Sequence, residues 1–149
     1  MKRGAFLFVL ILGIVVLAAC APKPEEVNAV VTEFWTQWKA GNPAGMVATM
    51  TAEVDFGLMA SDTSRLAGLS EIPNKGVPAM DLAEALVDDM PVGPSFTLSI
   101  IKTALFEEYA VVDALVDPDP SIADNEMKMI LHLQNTNDGW KVCFIGFSL

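Results

Sequence analysis

The sequence predicts an α+β fold in which three helices precede four antiparallel strands. Three observations indicate it. Residues 25–39 repeat apolar side chains at helical spacing, and residues 95–147 are rich in Val, Ile, Leu, Phe and Thr. Asn137-Asp138-Gly139 is a turn sequence typical of a β-hairpin. Because the helical patterns come before most of the strand patterns, the two kinds of element are expected to be segregated.

The first helix has the clearest pattern. Pro24 suits a first helical turn, two acidic residues follow it at the positive end of the helix dipole, and Gly41 ends the helix. The apolar positions fall three and four residues apart and form one face, which consists of Val27, Val30, Val31, Phe34, Trp35 and Trp38. An amphipathic helix is therefore predicted here.

Two more helices are predicted from their start signals. Asn42-Pro43 provides an N-cap and a first helical position for a short helix with Met46 inward. Residues 78–90 form the third helix, which also begins with proline. A brief strand around Val54-Asp55-Phe56 and a long loop over residues 60–76 are expected between them.

The last third of the chain is predicted to form two hairpins. Prolines and acidic residues at 117–120 interrupt the strand pattern, and two short polar segments mark the turns. The expected strands cover residues 95–105, 109–116, 126–134 and 140–147. In the third of these, His132 falls on a mostly polar face and is expected to meet solvent.

The first twenty residues predict export and a lipid anchor. Lys2 and Arg3 precede a run at residues 5–19 without charged or polar side chains, shorter than the roughly 20 residues that span a bilayer. Leu17-Ala18-Ala19-Cys20 resembles the lipobox of bacterial lipoproteins. The resemblance implies cleavage between Ala19 and Cys20 and acylation of the Cys20 thiol. An ordinary signal peptide and an uncleaved helical tether are the alternatives.

This interpretation divides the chain into three parts. Residues 1–19 would be a lipoprotein signal peptide, residues 20–24 the lipidated cysteine and a short tether, and residues 25–149 a single domain. Acyl chains would hold the mature protein on a membrane of the cell envelope, facing the extracytoplasmic side. The choice between an inner and an outer membrane stays open.

Charge and cysteine content limit the partners. The mature chain would keep seven basic and nineteen acidic residues, a net charge of about −12. That balance argues against nucleic acid, because binding to phosphates needs Lys and Arg, and against electrostatic adhesion to anionic lipid. With Cys20 acylated, Cys143 has no cysteine to pair with and is expected to be a buried apolar side chain.

Three stretches resemble the nuclear transport factor 2-like (NTF2-like) superfamily, which includes ketosteroid isomerases and polyketide cyclases. Residues 34–43 resemble its first helix and the exit from that helix, residues 107–112 its central turn and strand, and residues 137–142 its closing strand. The resemblance implies a curved sheet wrapped around the helices as a cone, with a pocket at its open end. Some members are enzymes and others only bind ligands or partners.

Five aromatic residues are candidates to line that pocket: Trp35, Trp38, Phe56, Tyr109 and Trp140. Enzymes of the superfamily use a carboxylate or His base opposite Tyr or acid donors, and the residues available for such roles here are Asp55, Tyr109, Asp113 and His132. None aligns with a catalytic set, so no catalytic residue is assigned. No zinc cluster, phosphate loop or nucleophile elbow occurs, and no metal or cofactor is expected.

The expected function is that of a non-catalytic, lipid-anchored domain that binds a small apolar ligand or an envelope protein. Two alternatives stay open. One is a pocket enzyme of the isomerase or cyclase type that acts by proton transfer. The other is a homodimer or assembly module that uses its sheet face.

Overall fold

The computed structural model describes residues 22–59, 74–122 and 126–148 and confirms the α+β fold. The helices are α1 (Pro24–Lys39), α2 (Pro43–Ala48) and α3 (Ala79–Asp89). The strands are β1 (Met50–Met59), β2 (Val77–Pro78), β3 (Thr97–Leu105), β4 (Tyr109–Asp117), β5 (Met127–Thr136) and β6 (Gly139–Ser148). Most of the loop predicted at residues 60–76, like the whole N-terminal segment up to residue 21, lies outside the described residues.

The strands form one six-stranded sheet in the order β2-β1-β6-β5-β4-β3. The four C-terminal strands are antiparallel neighbours, as predicted. Two further strands, β1 and β2, belong to the same sheet. β1 corresponds to the brief strand expected around Val54-Asp55-Phe56 but is longer, because it pairs with β6 along most of its length. That pairing is parallel and joins the N-terminal strands to the C-terminal strands in one sheet.

The sheet bends through irregularities in three of its strand pairs. Register shifts occur between Ile100 and Lys102 on β3, between His132 and Leu133 on β5, and between Met50 and Asp55 on β1. Extra residues of this kind bend a strand and increase its twist, so they help to wrap the sheet around the helices.

The helices cover one face of the sheet, which we call the core face. Side chains of both the helices and the sheet that are less than 2% exposed pack there, including Trp38 and Phe34 of α1, Leu86 of α3 and Phe147 of β6. The opposite side of β1 and of β3 to β6 is called the outer face. All core residues of the described part lie between Val27 and Phe147, so the segment from Ala21 to Leu149 contains the whole described core.

Local signals fix the helix ends close to their predicted positions. Asn42 caps α2, because its side-chain oxygen accepts a hydrogen bond from the Gly45 amide at 3.2 Å. Gly41 has a φ of 62°, a left-handed conformation that ends α1. Within the described ranges, no helix is both long and apolar enough to cross a bilayer.

Candidate functional site

The interior between α1 and the sheet is occupied by an aromatic cluster centred on Trp38. The Trp38 ring contacts Phe34, Trp35 and Phe147 with centroid distances of 5.9, 5.6 and 6.0 Å, and Phe147 in turn contacts Phe56 at 6.2 Å. The tilted and edge-on arrangements are those that aromatic rings prefer. The cluster therefore fills the interior between α1 and the sheet with packed side chains.

The indole N–H of Trp38 is hydrogen-bonded within this cluster. It donates to the main-chain carbonyl of Leu86 at 3.1 Å, and the same carbonyl accepts from the Met90 amide at the end of α3. Trp38 thus connects α1 to the C-terminus of α3 without leaving a buried polar atom unpaired.

The five aromatic residues selected from the sequence do not converge on one cavity. Trp35, Trp38 and Phe56 are buried in the aromatic cluster. Trp140 is buried elsewhere, beneath a surface groove beside α1. Tyr109 is 51% exposed at the start of β4 and alternates with the buried Ala110, which places it on the outer face.

A groove of about 390 Å³ runs between α1 and the tip of the β5–β6 hairpin; we call it the α1–hairpin groove. Its volume lies within the range of small-molecule sites. It is lined by Glu26, Ala29, Val30 and Glu33 of α1, by Ala48 and Thr49 after α2, and by Asp138, Gly139, Trp140 and Lys141 of the hairpin. The sequence placed Trp140 in a pocket but missed the carboxylates around it, because charged residues on a helix are normally interpreted as its solvent-facing side.

A second hollow of about 320 Å³ lies on the outer face around the β3 bulge; we call it the outer-face hollow. Apolar side chains of Ile101, Leu115 and Ile130 line it together with Asp113 and Lys128. Ile101 is 61% exposed, which is unusual for a large apolar side chain on a strand.

The titratable residues considered for catalysis are spread over the outer face. Asp55 on β1 accepts a hydrogen bond from the Gly76 amide at 2.9 Å, and Asp113 on β4 is exposed opposite Lys102. Strand order places Asp55 and Tyr109 three strands apart, a separation of about 14 Å at normal strand spacing. Among the described residues, no group of three or more His, Cys, Asp or Glu side chains is arranged to hold a metal ion.

His132 lies on the outer face of β5, the side expected from the sequence, and is half-buried there by an aromatic neighbour. Its ring packs on that of Phe144 with a centroid distance of 4.6 Å. Phe144 lies over two glycines, Gly57 of β1 and Gly146 of β6, which are directly paired across the strands. A glycine inside a strand indicates close approach of another group, and each of these two glycines is such a signal in the sequence, but the sequence does not show that they are neighbours.

Cys143 lies beside this packing and is half-buried. Its Sγ donates to the main-chain carbonyl of His132 at 3.4 Å. Burial raises the pKa of the Cys143 thiol, and the nearby negative charge of Asp55 raises it further. A thiol held in its neutral form is a poor nucleophile, which agrees with a structural role for this side chain.

Comparison with solved structures identifies the fold. An NTF2-like protein of unknown function from Shewanella baltica superposes with a TM-score of 0.58 at 15% identity, over 83% of this chain and 90% of that one. A ketosteroid isomerase-like protein from Erwinia carotovora gives 0.58 at 17% identity, over 83% and 93% of the two chains. An NTF2-like protein with a cystatin-like fold from Novosphingobium aromaticivorans gives 0.60 at 12% identity, over 94% and 87%.

The chain therefore has the NTF2-like fold, a helix-filled cone of curved sheet. No family profile matches the sequence, and no curated protein is detectably similar to it. The structural likeness at these identities defines the fold alone, because the fold hosts both enzymes and binding proteins.

Proposed function

We propose that this chain is a lipid-anchored binding protein of the cell envelope, whose NTF2-like domain acts without catalysis. The observation that carries the proposal is the filled interior of the cone. The aromatic cluster around Trp38 occupies the region between helices and sheet, whereas the concavities described above open on the exterior. An exterior site fits recognition of a ligand or partner better than proton transfer shielded from water.

The separation of Asp55 from Tyr109, a carboxylate and a phenol that an isomerase-type site would use together, also supports a binding role. An isomerase-type mechanism needs a base and a donor on opposite sides of one small substrate, within hydrogen-bond reach of it. Asp55 and Tyr109 are about 14 Å apart by strand spacing. We therefore prefer the binding function to the enzymatic alternative.

The anchor is tested by replacing Cys20. In the bacterial cell, Cys20→Ala is expected to move the protein from the membrane fraction to the soluble extracytoplasmic fraction, because the acyl chains supply the membrane affinity. Cys143→Ala is the matched control and should stay in the membrane fraction. Membrane retention of Cys20→Ala would contradict the lipid anchor.

Native mass spectrometry of the segment from Ala21 to Leu149, purified without denaturation, tests the binding function itself. A discrete additional mass that dissociates as a small molecule supports a ligand-binding domain. A clean apo mass with a protein copurifying at fixed stoichiometry supports a partner-binding domain. If protein purified from its own cells carries no additional mass and no copurifying partner, both forms of the binding function are contradicted.

Self-association through the outer face is a second candidate function, favoured by the exposure of Ile101 and Tyr109 on that face. Lys102 and Asp113 lie side by side there, so a two-fold arrangement can pair opposite charges. Sedimentation velocity at high concentration should show a dimer that Ile101→Asp dissociates. A monomer at all concentrations would remove this candidate.

A further inference from the structure

We propose that the α1–hairpin groove binds a cationic amphiphile, a small molecule with a protonated amine and an apolar body. This inference deepens the proposed binding function by naming its site and the chemical class of its ligand. It is tested separately from the lipid anchor, since the described lining of the groove begins at Glu26.

The apolar part of the groove accounts for the body of the ligand. Ala29 and Val30 of α1 form one wall, and Trp140 of β6 forms the other. Trp140 is 7% exposed, so its ring is held by the protein and presents a small, fixed apolar patch to the groove. A flat aromatic side chain opposite short aliphatic ones is a suitable surface for an alkyl or ring system.

The charges of the groove select the sign of the ligand. Among the described lining residues, Glu26, Glu33 and Asp138 contribute three carboxylates and Lys141 contributes one ammonium. The Lys141 ammonium donates to the main-chain carbonyl of Ala48 at 2.5 Å, at the C-terminus of α2. It is therefore engaged with the negative end of that helix, and the groove keeps a net negative charge that complements a cation.

The spacing of two carboxylates fits one amine and its apolar body. Glu26 and Glu33 are seven residues apart on α1, which is about two turns or 10 Å along the same side of the helix. Ala29 and Val30 lie between them. An amine can pair with the carboxylate of Glu26 or of Glu33 while the apolar body of the same ligand covers Ala29 and Val30.

Glu33 is the better positioned of the two. Its Oε1 accepts from the Gln37 side-chain amide at 2.6 Å, and the Gln37 carbonyl oxygen accepts from the Asn42 amide at 2.7 Å. This chain of hydrogen bonds ties the carboxylate to the capping residue of α2. A carboxylate oriented in advance loses less conformational entropy when it binds a cation.

The test uses the segment from Ala21 to Leu149, which contains the whole described core, and three ligands with the same tail. Octylamine, octanol and octanoate are titrated at neutral pH by calorimetry, with Trp fluorescence as a second readout. We expect saturable one-to-one binding of octylamine that exceeds the binding of octanol and octanoate. Equal binding of the three ligands, or no saturable binding of octylamine, would overturn the proposal.

Charge-only variants locate the site. Glu26→Gln and Glu33→Gln keep the side-chain shape, and Glu33→Gln also keeps an acceptor for Gln37. The double variant Glu26→Gln/Glu33→Gln is expected to weaken octylamine about tenfold, as loss of a charge-assisted hydrogen bond does. Each single variant should weaken it less, because the amine can pair with the carboxylate that remains. Glu84→Gln, on an exposed position of α3, is the control and should bind like the parent. Unchanged affinity in the double variant would place the ligand elsewhere and refute the inference, whatever the Cys20→Ala experiment shows about the anchor.

Discussion

The ring of Phe144 lies directly over Gly146 on the outer face of the sheet. A Cβ atom on Gly146 would lie 2.8 Å from Cε1 and 2.9 Å from Cζ of Phe144, closer than such atoms approach in folded proteins. The neighbouring Gly57 shows the same relationship, at 3.1 Å from Cζ. Gly146 is therefore needed for the ring to occupy this position, where His132 packs on it, whereas a Cβ at Gly57 would require the ring to move by a few tenths of an ångström.

Gly146→Ala is expected to destabilise the domain by about 1–3 kcal/mol, because the added methyl group overpacks the space under Phe144. Urea unfolding of the segment from Ala21 to Leu149 measures the loss. Gly93→Ala is the matched control, since a Cβ there would meet Phe96 at an ordinary 3.5 Å.

The double variant Phe144→Ala/Gly146→Ala tests the cause of that loss. With the ring removed, the methyl group has room, so Gly146→Ala should lower the free energy of unfolding less in the Phe144→Ala background than in the parent. We expect a coupling energy of about 0.5–3 kcal/mol between the two substitutions. Additive free energies of unfolding would mean that Gly146 is required for a reason other than the Phe144 ring.

Trp38→Phe is expected to cost about 1–3 kcal/mol in the free energy of unfolding. It removes the hydrogen bond to the Leu86 carbonyl and leaves space in the aromatic cluster. The loss is moderate because the Met90 amide still satisfies that carbonyl. Trp35→Phe is the control, because it removes the same volume from a ring that lies nearer the surface, and it should lower the free energy of unfolding less. An equal or larger loss for Trp35→Phe would contradict the role given to the Trp38 indole.

Elements with strong local signals could be predicted from the sequence. α1 was predicted over nearly its whole length, because a proline start, helical spacing of apolar residues and a glycine end all agree within Pro24–Gly41. The β5–β6 hairpin was predicted for the same kind of reason. Gly139 at its turn has a φ of 94°, a conformation that few other residues adopt.

Pairing between distant strands could not be predicted. Residues 50–56 of β1 alternate apolar and polar side chains, a strand signal of which the predicted brief strand used only the last part. The pairing partner of β1 is β6, about ninety residues later, and no local pattern indicates it. The alternation of β6 is also misleading. Val142 faces the core, but a bulge beside Phe144 moves the next core positions to Ile145 and Phe147. A one-residue shift of this kind exchanges the two faces of a strand.

The candidate site was only partly predictable for a related reason. Trp140 was selected as an aromatic residue, but its partners in the groove, Glu26 and Glu33, come from the exposed side of α1. Periodicity assigns such residues to solvent and contains no information about a neighbouring hairpin tip. Which helix faces the hairpin is set by tertiary packing.

The Cys143 thiol makes a pH-dependent contribution to stability. Burial raises its pKa in the folded state, so the folded protein keeps the thiol proton at a pH where the unfolded chain releases it. Stability is then unaffected well below the unfolded pKa and falls as the pH rises through about 8.5 and above. Urea unfolding between pH 7 and pH 10 should show this decline, and Cys143→Ala should show less of it.

Thiol reactivity provides an independent check of the same pKa shift. In the segment from Ala21 to Leu149, Cys143 is the sole cysteine, so alkylation by iodoacetamide reports on it alone. At pH 8 the folded protein should react more slowly than the unfolded chain in urea, because both its thiolate fraction and its accessibility are lower. A folded-state rate equal to that of the unfolded chain would show that the thiol is neither buried nor shifted in pKa.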